Sequence, residues 1–261
     1  TYLTKRLAGR GGKESGMSGR LRRLFRKNAV NFMILAVVLS LYAATMTPQI
    51  RAVFYESKDK PVYQGADVPY CAIQCNVYQG AEYIPAMLDI LRERNTRITW
   101  NMGGVFVDAN ASLTRRIAES GQELGNHGYR HLQHSTLSYE ENCEEIRKCH
   151  EAVVRAAGVG MSIFAPPSGD YNDTTIRAAR DLGYTPVMWS ADTIDWRDQD
   201  VELILSRVRD KMDRGGILLI HPTAATLKAL PQILDILEEK GLSVVPIGEL
   251  LQKSADAREI R

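Results

Sequence analysis

YCAIQCN-VYQGA-EYIPAMLDILRER-NT-RITWN, residues 70–101, carries two periodicities in alternation. Residues 70–76 are a short, mostly apolar run of strand length. Residues 82–94 place Ile84, Met87, Leu88 and Leu91 three and four positions apart, which gathers them on one face of a helix. Residues 97–101 read as a second strand. The rhythm then runs on. Strands are predicted over residues 123–126, 162–165, 185–190, 216–221 and 243–246, and helices over 111–120, 138–157, 173–182, 201–212 and 227–240. Gly121, Gly158 and Gly183 stand where three of these helices stop, and Ser138 with Glu141 forms a capping-box pair. Alternation of this kind predicts an α/β domain with a mainly parallel sheet. Seven or eight units in about 185 residues fit a small, irregular (β/α) barrel better than an open doubly wound sheet, which is the alternative. No Gly-rich phosphate loop follows the first strand, which counts against nucleotide binding.

Upstream the composition changes. The net charge of +2 over 261 residues conceals a split. Residues 1–28 carry nine Lys/Arg against Glu14 alone, whereas residues 66–261 hold 21 basic and 28 acidic side chains. A mildly acidic main domain excludes a nucleic-acid partner, which needs a basic face. The basic segment instead precedes an uncharged run, residues 28–50, close to the length that crosses a bilayer. By the positive-inside rule residues 1–28 stay cytoplasmic, residues 29–47 anchor the chain in the cell membrane, and the remainder lies on the extracytoplasmic side. A cleaved signal peptide, giving a secreted protein, is the alternative, although no clean A-x-A site follows Ala43 and Ala44. Met17 could open the translated chain, since residues 20–27 would then form an ordinary n-region. Residues 48–66 read as a polar stalk, 67–253 as the main domain, and 254–261 as a frayed tail. Four cysteines are too few for a disulfide scaffold, and Cys71, Cys75, Cys143 and Cys149 are read as buried free thiols, with cross-pairs left open.

A barrel collects its chemistry at the C-terminal ends of its strands. Four polar clusters stand there. They are Asn126-His127-Gly128-Tyr129-Arg130-His131, Ala165-Pro166-Pro167-Ser168-Gly169-Asp170, Asp192-Thr193-Ile194-Asp195-Trp196 and His221-Pro222-Thr223. His127 and His131 are spaced i, i+4, so one helical turn would aim both imidazoles at a shared divalent metal. Catalytic zinc usually takes three protein ligands, so a third is needed. His221 near Asp192 and Asp195 suggests an imidazole oriented by a carboxylate, a good general acid. Each cluster alone also has a plain structural reading. Pro166-Pro167 makes a stiff loop, and Asp195-Trp196 a solvated acid beside a packing aromatic.

Taken in order, H-x-x-x-H, P-P-x-G, D-x-x-D-W and I-H-P-T resemble the polysaccharide deacetylases, carbohydrate esterase family four, over about residues 66–250. The phrases around His127, Pro166, Asp192 and His221 are similar to the sporulation and cell-wall branch of Gram-positive bacteria. The resemblance implies a deformed (β/α) barrel, here preceded by one transmembrane helix. It also implies metal-dependent removal of acetyl groups from an N-acetylated polysaccharide or peptidoglycan. By the resemblance His127 and His131 hold the metal, usually zinc, and His221 is the general acid. Asp195 is the favoured partner of His221, with Asp192 in the same motif. Trp196, Pro166, Pro167 and Tyr129 are expected at the substrate groove, with Tyr171 a further ring able to stack on sugar.

The chain departs from the family in two places. The first motif normally ends a strand with two Asp, whereas this chain has Gln74-Cys75-Asn76-Val77-Tyr78-Gln79-Gly80. One alignment puts Val77 at the base and Tyr78 at the metal ligand; another puts Asn76 and Val77 there. The third motif normally opens with Arg, and here opens with Ala165. An Arg left without its Asp would be a costly unpaired cation, so these losses belong together. Cys75, Tyr78 or Asn76 would have to complete a zinc site, and without one no cofactor is expected. Glu82 and Asp170 are carboxylates that could take over as base. Two functions follow, both in the cell envelope. One is a weakened N-deacetylase. The other is an inactive glycan-binding or morphogenetic pseudoenzyme.

Overall fold

The computed structural model of the protein describes residues 60–259. Residues 1–59, with the basic segment, the expected membrane helix and most of the expected stalk, lie outside the described residues. Among the described residues no helix is long and apolar enough to cross a membrane. The strands are β1 (Tyr70–Val77), β2 (Thr99–Met102), β3 (Glu123–Asn126), β4 (Ile163–Phe164), β5 (Thr185–Pro186), β6 (Ala191–Asp192), β7 (Ile217–Ile220) and β8 (Ser243–Val244). The helices are α1 (Ile84–Glu93), α2 (Gly104–Ala109), α3 (Ala111–Glu119), α4 (Tyr139–Ala157), α5 (Asp173–Asp181), α6 (Asp195–Asp198), α7 (Val201–Lys211), α8 (Ala224–Glu239) and α9 (Ile247–Glu259). The sheet is parallel, in the order β5-β4-β3-β2-β1-β7-β6, with β8 paired to the start of β1. It is the half-barrel form of the expected (β/α) architecture.

Strand parity divides the core. Cys71, Ile73, Cys75 and Val77 of β1 pack outward with Met87 and Leu91 of α1 and Leu230 of α8. Ala72 faces inward with Ile163, Ala165, Val187 and Ile217. Gln74 and Asn76, two and four residues further along, share the inward side, because side chains alternate along a strand. There Asn101 donates to Gln74 Oε1 (3.1 Å) and Asn76 Oδ1 (2.8 Å). Gly125 is required beside this network: a Cβ there would lie 2.1 Å from Asn101 Oδ1. All four cysteines are free and buried.

Four features differ from the sequence reading. Helix α2, six residues long, is too short to show a 3.6-residue periodicity. The strand expected over 185–190 is formed only at its start, as β5, and β6 lies just beyond its end. The expected tail is helical to Glu259, because Leu250 and Ser254, one turn apart, are both buried. Ser254 Oγ also accepts from the Ala66 amide at 2.9 Å. Residues 62–66, assigned to the stalk, belong to the domain. Val62 bridges Val187, its amide donates to Pro186 O (2.9 Å), and it accepts from the Met188 amide (2.7 Å).

Candidate active site

The four polar clusters follow β3, β4, β6 and β7, at one end of the parallel sheet. His127 lies just beyond β3 and is buried; its Nδ1–H donates to the Ala165 carbonyl at 2.7 Å. That bond fixes the tautomer and leaves Nε2 as the available nitrogen. Burial, and then the neighbouring His131 ring, push the His127 pKa well below the ordinary imidazole range. Burial lowers His131 as well. The two rings do meet, with centroids 5.1 Å apart at 66°. They do not meet on a helical turn, as the spacing suggested. The segment is a loop, with Gly128 at φ +70° and His131 at φ +57°. Glu145, a buried carboxylate on the inner face of α4, holds that loop. It accepts from the amides of Tyr129 (3.1 Å) and Arg130 (2.8 Å) and from Arg130 Nε (2.8 Å). Glu145 was not singled out in the sequence. The signal was available: an acid standing at core spacing between Asn142 and Cys149, all buried on one helix.

At the opposite side of the half-barrel His221 ends β7. Its Nδ1–H donates to Asp195 Oδ1 (2.8 Å), and its amide donates to Asp195 Oδ2 (2.7 Å). The Thr226 hydroxyl, in the first turn of α8, also donates to Oδ2. Asp195 is fully buried, so this carboxylate is satisfied by three donors and keeps His221 in one tautomer. Asp192 does not share the task. It accepts from the Ile194 amide at 2.7 Å in a tight turn, and its burial raises its pKa above the ordinary carboxylate range. Ile194 sits at φ +54°, an uncommon conformation for a β-branched residue. Beyond it Arg207 donates to Thr193 O (2.6 Å) and pairs with Asp198, which fastens the turn that carries Trp196. The Trp196 ring is 54% exposed.

The remaining groove candidates are used differently. Pro166 and Pro167 are buried, and Pro167 packs against Gly128, so they support the histidine loop. Tyr129 turns towards α2: its hydroxyl donates to Asp108 (2.8 Å), and its ring lies against Gly104. Tyr171 hydrogen-bonds Tyr63, hydroxyl to hydroxyl, at 2.8 Å. Asp170 is held by the Ser135 amide and hydroxyl, both at 2.8 Å, which commits its oxygens away from the role of a base. An open pocket of about 610 Å³, lined by Arg97, Glu123, Glu249 and Lys253, lies at the starts of β2 and β3, the other end of the sheet from the four clusters.

The first motif decides whether a metal fits. Val77 packs into the outer core, so it cannot serve as an inward-facing base. Asn76 faces inward. Tyr78, just past the strand, places its ring 4.0 Å from the His131 ring at a tilt of 32°. A phenol ring, which brings no carboxylate, thus stands against the histidine pair. Cys75 faces the outer core and is removed from the candidates; burial holds its thiol well above its ordinary pKa. Ala165, at the position of the expected Arg, is buried among apolar residues. Among the described residues no group of three or more His, Cys, Asp or Glu could hold a metal ion. The residues present do not fit the zinc site that the resemblance implied.

The profile of the polysaccharide deacetylase family matches residues 57–187. The chain belongs to this family. Members are in general metal-dependent, which makes the donor set of this chain a departure from its own family. The protein YlxY of Bacillus subtilis strain 168 is 34% identical over 196 residues, covering 75% of this chain and 61% of that protein. A peptidoglycan-N-acetylglucosamine deacetylase of Bacillus cereus is 34% identical over 179 residues, covering 65% of this chain and 82% of that enzyme. Among solved structures, a family-four pseudoenzyme from Bacillus anthracis matches with a TM-score of 0.72 and 34% identity, covering 74% of this chain and 69% of that one. A mutant of that pseudoenzyme with restored enzymatic activity matches this chain with a TM-score of 0.72 and 33% identity, covering 74% of this chain and 71% of that one.

Proposed function

We propose that this chain is a cell-envelope member of the polysaccharide deacetylase family that binds N-acetylated glycan, with peptidoglycan the first candidate. In this reading it no longer removes acetyl groups at a useful rate. One observation carries the proposal: the Tyr78 ring lies on His131, one of the two histidines the resemblance gives to the metal, and brings no carboxylate to the pair. The inward-facing Asn76 and the buried Ala165 add to it, since neither supplies a base or its cationic support. Groups that act as a unit lose most of their effect together, so one surviving acid does not sustain the reaction. The likeness to the Bacillus anthracis pseudoenzyme supports the same reading. The uncharged run over residues 28–50 supports anchoring through the N-terminal segment, with the domain on the extracytoplasmic side.

A weakened deacetylase is the second reading, favoured by the intact Asp195–His221 pair. Acetate release separates the two. The purified chain is assayed on N-acetylglucosamine oligomers and on peptidoglycan with added zinc or cobalt, with a His127→Ala/His131→Ala double variant as control. Metal-dependent release that the double variant abolishes would establish an enzyme with a rebuilt base and sink the first reading. Release no greater than the control, from protein that still sediments with peptidoglycan, supports the glycan-binding role.

A further inference from the structure

The donor set leaves a question about Tyr78 that loss of activity does not answer. A position beside two histidines could hold any small residue, yet here it holds a large aromatic. Tyr78 is 40% exposed while one side of its ring is braced. The bracing is continuous: Tyr78 lies 4.0 Å from His131, His131 lies 5.1 Å from His127, and His127 is pinned to Ala165 O at 2.7 Å. Three rings in series, the innermost hydrogen-bonded to the backbone, give the outermost a fixed attitude. An exposed tyrosine of fixed attitude is a good sugar platform. It offers a flat apolar face to the C–H groups of a pyranose and loses little side-chain entropy on binding.

Resting on the glycan-binding role proposed above, we infer that Tyr78, stacked beside the histidine pair, is a sugar-stacking position. The N-acetylated glycan is bound without any metal, on the Tyr78 ring backed by His131. Trp196, exposed at the same end of the sheet, supplies a second aromatic surface. The histidine pair is then kept as a brace.

The test is isothermal calorimetry on the full chain with the N-acetylglucosamine tetramer, run in EDTA and again in zinc. Parallel titrations use zinc alone. Binding of the tetramer by the wild type should be equal, within twofold, in EDTA and in zinc. Tyr78→Ala should weaken it about tenfold, the scale of one aromatic stacking contact. Tyr78→Phe should stay within about threefold of the wild type, since the ring is what matters. Tyr78→Asp should lose tetramer affinity like the alanine variant and gain zinc affinity, because a carboxylate then joins the two imidazoles. Tetramer binding abolished by EDTA, or unchanged in Tyr78→Ala, would overturn this inference and leave the glycan-binding role standing. Zinc binding by the wild type as tight as by Tyr78→Asp would overturn it too. A wild-type chain that binds no tetramer in either condition would remove the glycan-binding role itself.

Discussion

Replacing Asp195 by alanine removes one carboxylate and strands three donors at once. These are the Nδ1–H and the amide of His221, at 2.8 and 2.7 Å, and the hydroxyl of Thr226. Asp195 is fully buried, and its partners are buried or largely so, which limits how far water can replace it. Hydrogen bonds to a charged group contribute about 1.5–3 kcal/mol each, and a buried donor left without a partner costs about 1–3 kcal/mol. These effects overlap, so a loss of about 3–5 kcal/mol is expected, a large part of the 5–15 kcal/mol that holds an ordinary domain together. Asp192→Ala is the matched control. It removes a carboxylate from the same loop that accepts only the Ile194 amide, and it should cost about 1 kcal/mol. Urea denaturation of both variants at pH 7, read by linear extrapolation, measures the difference. If the two variants fall within about 1 kcal/mol of each other, the claim that the Asp195–His221 pair is a structural keystone is wrong. If Asp195→Ala is the much weaker protein, then stability alone gives this His–Asp pair a role that needs no catalysis.

Gly80 sits at φ +77°, and a Cβ on it would lie 2.0 Å from the Pro222 carbonyl oxygen, so Gly80→Ala must move backbone next to His221. A loss of about 2 kcal/mol is expected, seen as a melting midpoint lower by about 4–8 °C. The four thiols should be silent towards a disulfide reagent in the folded chain and all react in urea, since burial pushes Cys71 and Cys149 to about 12. A fast-reacting thiol in native protein would contradict the placement of that cysteine in the core. Side-chain hydrogen bonds from Arg197 and then Arg207 hold the Asp198 carboxyl at about 2, below its ordinary 3.8. Its folded value is depressed, so its contribution to stability is present above the unfolded value and is lost as pH falls through about 2. Carboxyl-carbon NMR should find Asp198 still ionised at about pH 3, and Arg207→Met should raise its titration.

Much of this molecule is legible along the chain because its causes are local. The capping box of Ser138 with Glu141 forms as read, and Gly158 closes the same helix at φ +72°. Ile84, Met87, Leu88 and Leu91 are buried on one face of α1, as their spacing required. A hydrophobic period of 3.6 or 2 is a property of neighbouring residues, so it survives without knowledge of the rest. The clustering of chemistry after the strands is equally local, once the parallel half-barrel is accepted. The pairing of His221 with Asp195, 26 residues away, is not local: the family resemblance favoured Asp195, and the His221 Nδ1–H reaches it rather than Asp192.

What the sequence alone could not decide lies where distant groups meet. Two alignments of the first motif were open, and strand register matches neither one whole. The ladders of β1 with β2 and β7 turn Asn76 inward and Val77 outward, which leaves Tyr78 beside His131. The two histidines converge through a left-handed loop held by Glu145, fifteen residues away on Arg130's side, rather than through a helical turn. Tyr129 is drawn to Asp108, and residues 254–257 continue α9 because Ala66 and Leu250 supply partners. The sequence by itself determined the alternating elements, their caps and the strand-end position of the chemistry, because near neighbours encode them. Only the tertiary structure decided which side chain lies against the histidine pair, because that depends on the register of strands whose residues are far apart in the chain.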